Sequence, residues 1–173
     1  INRYNDYKYY FGVVKANCYG HYDIKTVEKI IQGGCNYLAV ATLDEALYIR
    51  KYIKNIPILC LGPIPVQFIE KVKENDITIT INSMDYMKEL INKDIDGIKA
   101  HIKINTGMNR LGMKDKQEVK NVIELAKEKG IKLEGIYSHI YEATNEELYN
   151  KQIEIFKERR LLKWVWQEIH MQK

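Results

Sequence analysis

Six times along its 173 residues the chain alternates a short apolar run with a longer amphipathic one, and few folds accommodate that rhythm. The apolar runs cover residues 9–14, 37–41, 58–61, 77–81, 100–104 and 133–137. Each is short, rich in β-branched or aromatic residues and nearly free of charge, as strands buried on both faces of a parallel sheet are. Between them, apolar residues recur three and four apart. Ile24, Val27, Ile30 and Ile31 form one helical stripe, and Val119, Val122, Ile123 and Leu125 another. Asp23 and Asp44 stand where N-caps belong, Gly33-Gly34 and Gly130 where helices end, and Pro57 opens the third strand. Repeated βα units of this kind build either a barrel or a doubly wound sheet. A closed eight-fold barrel takes ~250 residues, more than this chain has, so the reading is a piece of a barrel. Residues 168–172 are expected to begin a seventh strand, and Trp164 and Trp166 fall in a stretch with no clean cap.

Composition narrows the function classes. The net charge of +4 is spread along the chain, with Lys interleaved among Glu and Asp, so no basic block suggests nucleic acid. Cys18, Cys35 and Cys60 are odd in number and lack C-x-x-C spacing, so neither a disulfide framework nor a zinc site is expected. Reduced thiols suit a cytoplasmic protein. No stretch reaches the ~20 apolar residues of a membrane span. The first six residues are polar, unlike a signal peptide, and lack Met, so the start is expected to be trimmed.

The chemistry concentrates at strand ends. The first apolar run finishes in Val13-Val14-Lys15-Ala16-Asn17-Cys18-Tyr19-Gly20-His21. A lysine there is costly unless it is paired, neutral or functional. Desolvation would favour its neutral amine, which can condense with an aldehyde; a lone strand-end lysine can equally be a snorkelling one. Tyr19 reads alone as a core aromatic. A second cluster is His101-Ile102-Lys103-Ile104-Asn105-Thr106-Gly107-Met108-Asn109-Arg110-Leu111-Gly112-Met113, and a third is Gly135-Ile136-Tyr137-Ser138-His139. Taken bare, the second is a strand-to-loop turn with solvent-facing Lys and Arg, and His139 is a structural histidine.

Together, in this order, the three clusters resemble the alanine racemase family. The first matches its cofactor-lysine motif V-x-K-A-N-A-Y-G-H with Cys18 in place of Ala; the second matches H-x-K-x-D-T-G-M-x-R-L-G with Asn105 in place of Asp. The third matches G-x-[YF]-[TS]-H. The resemblance runs from Phe11 to Gln152 and weakens after Phe156. It implies an α/β fold, a (β/α)8 TIM-type barrel incomplete in this chain, and pyridoxal 5'-phosphate as cofactor. Lys15 would hold the cofactor as a Schiff base, Tyr19 would bind its phosphate, and Arg110 its phenolic oxygen. Lys103 would lie beneath the cofactor, carbamylated in several members of the family. His139 would orient an arginine facing the pyridine nitrogen, an arginine absent from this sequence. Leu61, in Leu59-Cys60-Leu61-Gly62, reads either as plain core or as a cofactor-pocket residue.

The same resemblance implies a small amino-acid substrate and two bases on opposite faces of its Cα, with Lys15 serving the D-face. The other base, a tyrosine, would come from a C-terminal β-domain absent here, across a homodimer interface. Residues 1–173 are thus expected to be one barrel domain truncated at both ends, and His170-Met171-Gln172 the start of a phosphate-binding stretch. The expected activity is interconversion of L- and D-alanine. A serine racemase, a non-catalytic single-domain cofactor carrier and a degenerate structural remnant are the alternatives. The carriers lack the T-G-M-x-R-L-G turn present here.

Overall fold

The computed structural model describes residues 7–21 and 24–160, with side chains through Glu158. The expectations placed on Asp23, on the seventh strand at 168–172, on Trp164 and Trp166, and on the first six residues lie outside the described residues. The chain divides into two compact units, Ile1–Thr80 and Ile81–Lys173.

The first unit runs β1 (Phe11–Val13), α1 (Lys15–Gly20), α2 (Ile24–Gln32), β2 (Tyr37–Val40), α3 (Leu43–Tyr52), β3 (Ile58–Cys60), a 3-10 turn (Val66–Phe68), α4 (Ile69–Glu74) and β4 (Ile77–Ile81). Its strands pair in parallel and in sequence, with Val13 beside Ala39, Ala39 beside Leu59 and Leu59 beside Thr78. That register sorts the side chains onto two faces. Leu38, Val40, Ile58, Cys60 and Ile79 are fully buried on one, and each apolar side chain buried there contributes roughly 1.5–3 kcal/mol. Gly12 lies on this face because a Cβ would stand 2.7 Å from Ile30 Cγ2 of α2. The opposite face carries Phe11, Tyr37 and Thr78. Phe11 stacks on Tyr37 at 4.4 Å, and the Tyr37 hydroxyl donates to Thr78 Oγ1 at 2.8 Å.

The second unit contains α5 (Met84–Leu90), β5 (Lys99–Lys103), α6 (Lys116–Glu128), β6 (Lys132–Tyr137) and α7 (Glu146–Arg160). β5 and β6 are parallel, with a bulge between Ala100 and His101 that sets His101 beside Gly135 and Lys103 beside Tyr137.

The six expected strands all form, with boundaries moved by no more than two residues, and the cysteines are free of disulfides. Burial on both faces holds for β2, β3 and β4. It fails for β1, where Phe11 and Val13 are exposed, and for β6. Among the described residues each of these two strands has one neighbour, so one side goes uncovered. Two smaller expectations are corrected. The N-cap of α3 is Thr42, whose hydroxyl accepts from Glu45 N, and Asp44 sits inside the first turn. The buried stripe of α6 is completed by Ala126 instead of Leu125, which is half-buried. Gly34 and Gly130 end their helices with φ of 104° and 74°. No helix among the described residues is long and apolar enough to cross a membrane.

Candidate active site

Where β1 ends, the chain does something L-residues seldom do. Ala16, Asn17, Cys18 and Tyr19 hold φ between 49° and 57°, a left-handed helical turn that Gly20 closes at φ 88°. Each left-handed non-glycine residue costs roughly 1–2 kcal/mol, so the surrounding structure must hold the turn in place. Val14 N donates to Ala39 O at 2.9 Å, Cys18 N to Val14 O at 3.2 Å, and His21 N to Cys18 O at 3.3 Å. Ala16 N donates to the Glu45 carboxylate at 2.7 Å. Inside the turn Cys18 is buried, so the small residue of the motif is a packing element, and burial pushes its thiol pKa up.

The turn carries Lys15 at its start, half-buried, and Tyr19 at its end, 61% exposed. Exposure on that scale removes the reading of Tyr19 as a core aromatic and leaves its hydroxyl available to a ligand. Leu61 follows β3, half-buried, with its N–H donating to Val40 O. These three belong to the first unit.

The second unit holds Lys103, Arg110 and His139, and brings them together. With Asn105, Thr106 and Ser138 they line one shallow, open pocket. Its loop is built by Asn105. The side-chain oxygen accepts from Gly107 N at 3.0 Å and Asn109 N at 3.2 Å. Two such bonds need only an acceptor oxygen, so the amide does here what a carboxylate would. The backbone closes the loop through Asn105 N to Met113 O at 2.9 Å and Met113 N to Lys103 O at 3.0 Å. Thr106 and Ser138 share a hydroxyl bond of 2.8 Å, and Ser138 Oγ donates to Ile104 O at 2.9 Å. Gly107, Asn109 and Gly112 take positive φ, which lets the loop turn back on itself with Arg110 exposed at its tip.

Lys103 is 7% exposed, and its Nζ lies 4.4 Å from the Tyr137 ring centre. Burial first, and the Arg110 charge second, pull its pKa down to about 8. A lysine whose folded pKa is depressed makes the folded state less stable while it is protonated. That penalty is full below about pH 8 and fades as pH rises toward the unfolded value of 10.5. Stability of the unmodified protein should therefore climb between those limits. Lys103→Met should abolish the climb and raise stability at neutral pH, measured by urea unfolding across the range. An unchanged slope would show that the amine is not desolvated.

One strand position upstream on the same face, His101 is 7% exposed, and burial lowers its pKa to about 4, leaving it neutral. Gly135 makes room for it, since a Cβ there would stand 2.8 Å from the ring. The glycine of the third motif is thus explained by packing. Sequence reasoning missed Glu45, although Thr42-Leu43-Asp44-Glu45 is a legible capping box. Among the described residues no group of His, Cys, Asp and Glu could hold a metal.

The chain matches the family model described as alanine racemase, N-terminal domain, over residues 3–171. It is 39% identical to alanine racemase 1 of Bacillus subtilis over 150 residues, 84% of this chain and 39% of that protein. Among solved structures it superposes with TM-score 0.81 on alanine racemase from Bacillus anthracis with bound L-Ala-P, at 33% identity, covering 91% of this chain and 42% of that one. A histidine racemase from Leuconostoc mesenteroides, at 24% identity and TM-score 0.77, shares the fold. The chain spans about two fifths of the length of the curated relatives it matches. The incomplete barrel expected from chain length, and of the type that the three motifs resemble, is therefore the fold present, and the chain belongs to the alanine racemase family.

Proposed function

We propose that this chain is the cofactor-binding part of a pyridoxal-phosphate-dependent racemase acting on alanine. The observation that carries the reading is the left-handed turn that sets a half-buried Lys15 at the end of β1 with an exposed Tyr19 behind it. The donor set fits the cofactor. The pocket around Arg110 is lined by a guanidinium, a lysine and two hydroxyls, with no carboxylate, as an anionic ligand requires. Lys15 Nζ would be the covalent attachment point, Tyr19 the phosphate ligand and Arg110 the partner of the phenolic oxygen. Leu61 would be a cofactor-contacting residue, as the family resemblance implies. When bound, the cofactor delocalises the electron pair left at the substrate Cα once its proton departs.

The residues present then have separate tasks. Lys15 takes and returns a proton on one face of Cα, which needs its amine within reach and part of the time uncharged. Arg110 fixes orientation through its planar fork of donors. Lys103, with its lowered pKa, offers a largely neutral amine above about pH 8; that is the form that condenses with carbon dioxide, as the family's carbamylated lysine implies. His139 lines the Arg110 pocket and would orient a basic group beyond this sequence. The second base would be a tyrosine of a C-terminal β-domain, supplied across a homodimer in a cytoplasmic enzyme. With Lys15 alone, exchange on one face should far outpace racemisation.

Borohydride reduction of the pyridoxal-phosphate-treated chain, followed by peptide mapping, should mark Lys15. A mark elsewhere, or none, overturns the reading. Assays of the full-length gene product with each enantiomer of alanine and of serine then distinguish the substrate. Cofactor attachment without turnover of either would make it a carrier.

A further inference from the structure

The Glu45 carboxylate does two jobs at once. Through Oε2 it accepts from Ala41 N at 2.7 Å and Thr42 N at 3.2 Å, the ordinary work of the third residue in a capping box. Through Oε1 it accepts from Ala16 N at 2.7 Å, across 29 residues, from the amide immediately after Lys15. A helix cap uses one of its oxygens and leaves the other to spare; here that second oxygen holds the first residue of the left-handed turn. Ala16 is where the chain leaves β1 and commits to positive φ. The bond is short and charge-assisted, the stronger class of hydrogen bond.

We propose that Glu45 is a positioning residue for the cofactor lysine: its carboxylate ties the N-terminus of α3 to the Lys15 turn and fixes where the amine points. The proposal rests on the reading of Lys15 as the attachment point. It follows from the turn's own geometry that such a tie is needed, because an unrestrained Ala-Asn-Cys-Tyr segment would relax to negative φ and swing the preceding side chain with it.

The chemistry of Gln and Glu separates the two jobs. Glu45→Gln keeps one acceptor oxygen, enough for the cap, but turns an N–H₂ toward one of the two donor groups. Thr42→Ala removes the other half of the cap and leaves the Ala16 bond intact. Both variants should lose similar thermal stability in the full chain. Lys15 labelling by pyridoxal phosphate and borohydride, at limiting cofactor, should fall about tenfold in Glu45→Gln and stay within about twofold in Thr42→Ala. Labelling that simply follows the melting temperature in both variants overturns the proposal, as does unchanged labelling in Glu45→Gln. Wild-type Lys15 that never labels removes the cofactor reading and this proposal with it, a result told apart by its appearance before any substitution. Should Glu45→Gln not fold, the Ala16 amide of the wild type decides: hydrogen exchange slowed to the rate of global unfolding supports the tie, and exchange at the rate of a free amide overturns it.

Discussion

Replacing Arg50 by alanine should destabilise the first unit by about 3 kcal/mol. Arg50 is 7% exposed, and all its hydrogen bonds go to backbone carbonyls. Nε donates to Asn75 O at 2.9 Å, and Nη2 to Asp76 O at 3.0 Å. Nη1 donates to Ile53 O at 3.3 Å, Lys54 O at 2.8 Å and Ile56 O at 2.9 Å. The guanidinium therefore joins the end of α3, the approach to β3 and the turn before β4, where Asp76 sits at φ 50°. Burial lowers its pKa, opposed by the Asp76 charge. Removing the side chain strands the buried Ile56 carbonyl and leaves four part-buried carbonyls without their donor, and the buried one carries the larger desolvation cost. Arg50→Lys should recover less than half of the loss, because a single ammonium cannot reach a fan of acceptors that a planar fork spans. Chemical denaturation measures both. A loss below about 1 kcal/mol for the alanine variant would mean that water replaces the guanidinium without penalty.

The second large effect is expected at Gly112. A Cβ there would stand 2.9 Å from the Ile104 carbonyl carbon, from Lys103 O and from Lys103 Cγ, and φ is +108°. Two of those three atoms are backbone, and Lys103 O also accepts from Met113 N. The strand end cannot retreat without losing that bond, and the glycine cannot change φ without moving the loop. Overpacking and backbone strain each cost about 1–3 kcal/mol. Gly112→Ala should therefore lower stability by about 3 kcal/mol and displace the Arg110 loop. Amide shifts at Asn109 and Arg110, followed by NMR, report the displacement separately from the melting temperature. A variant with wild-type shifts in that loop would show that the close approach is relieved elsewhere.

Both predictions bear on how function sits in this fold. The turn that presents Lys15 is strained and is held by groups outside it, and the Arg110 loop depends on Asn105 and on Gly112, which has no room for a side chain. Neither region is a stable local structure in its own right. Each is shaped by the strand from which it departs, so substitutions distant from any reacting atom can still move the residues that would bind the cofactor.

Much of the fold is legible in the sequence. Strand periodicity and the apolar stripes depend on local pattern, and β2 through β5 formed where residues 37–104 had placed them. The motifs around Lys15, Arg110 and His139 were readable because their glycines and polar residues serve short-range turns. What sequence alone determined, then, was the order of βα units, the family resemblance and the identity of the chemical groups. Only the tertiary structure decided that residues 16–19 wind left-handed, that Asn105 serves as acceptor where the family uses Asp, that Gly135 clears space for His101, and that Glu45 and Arg50 bind backbone far along the chain. The roles of Glu45 and Arg50 turn on which donor meets which acceptor across 25 or more residues, and that of Gly135 on a distance of a few ångströms between neighbouring strands. Local propensity carries no record of either, since both arise only when separate segments are brought into register.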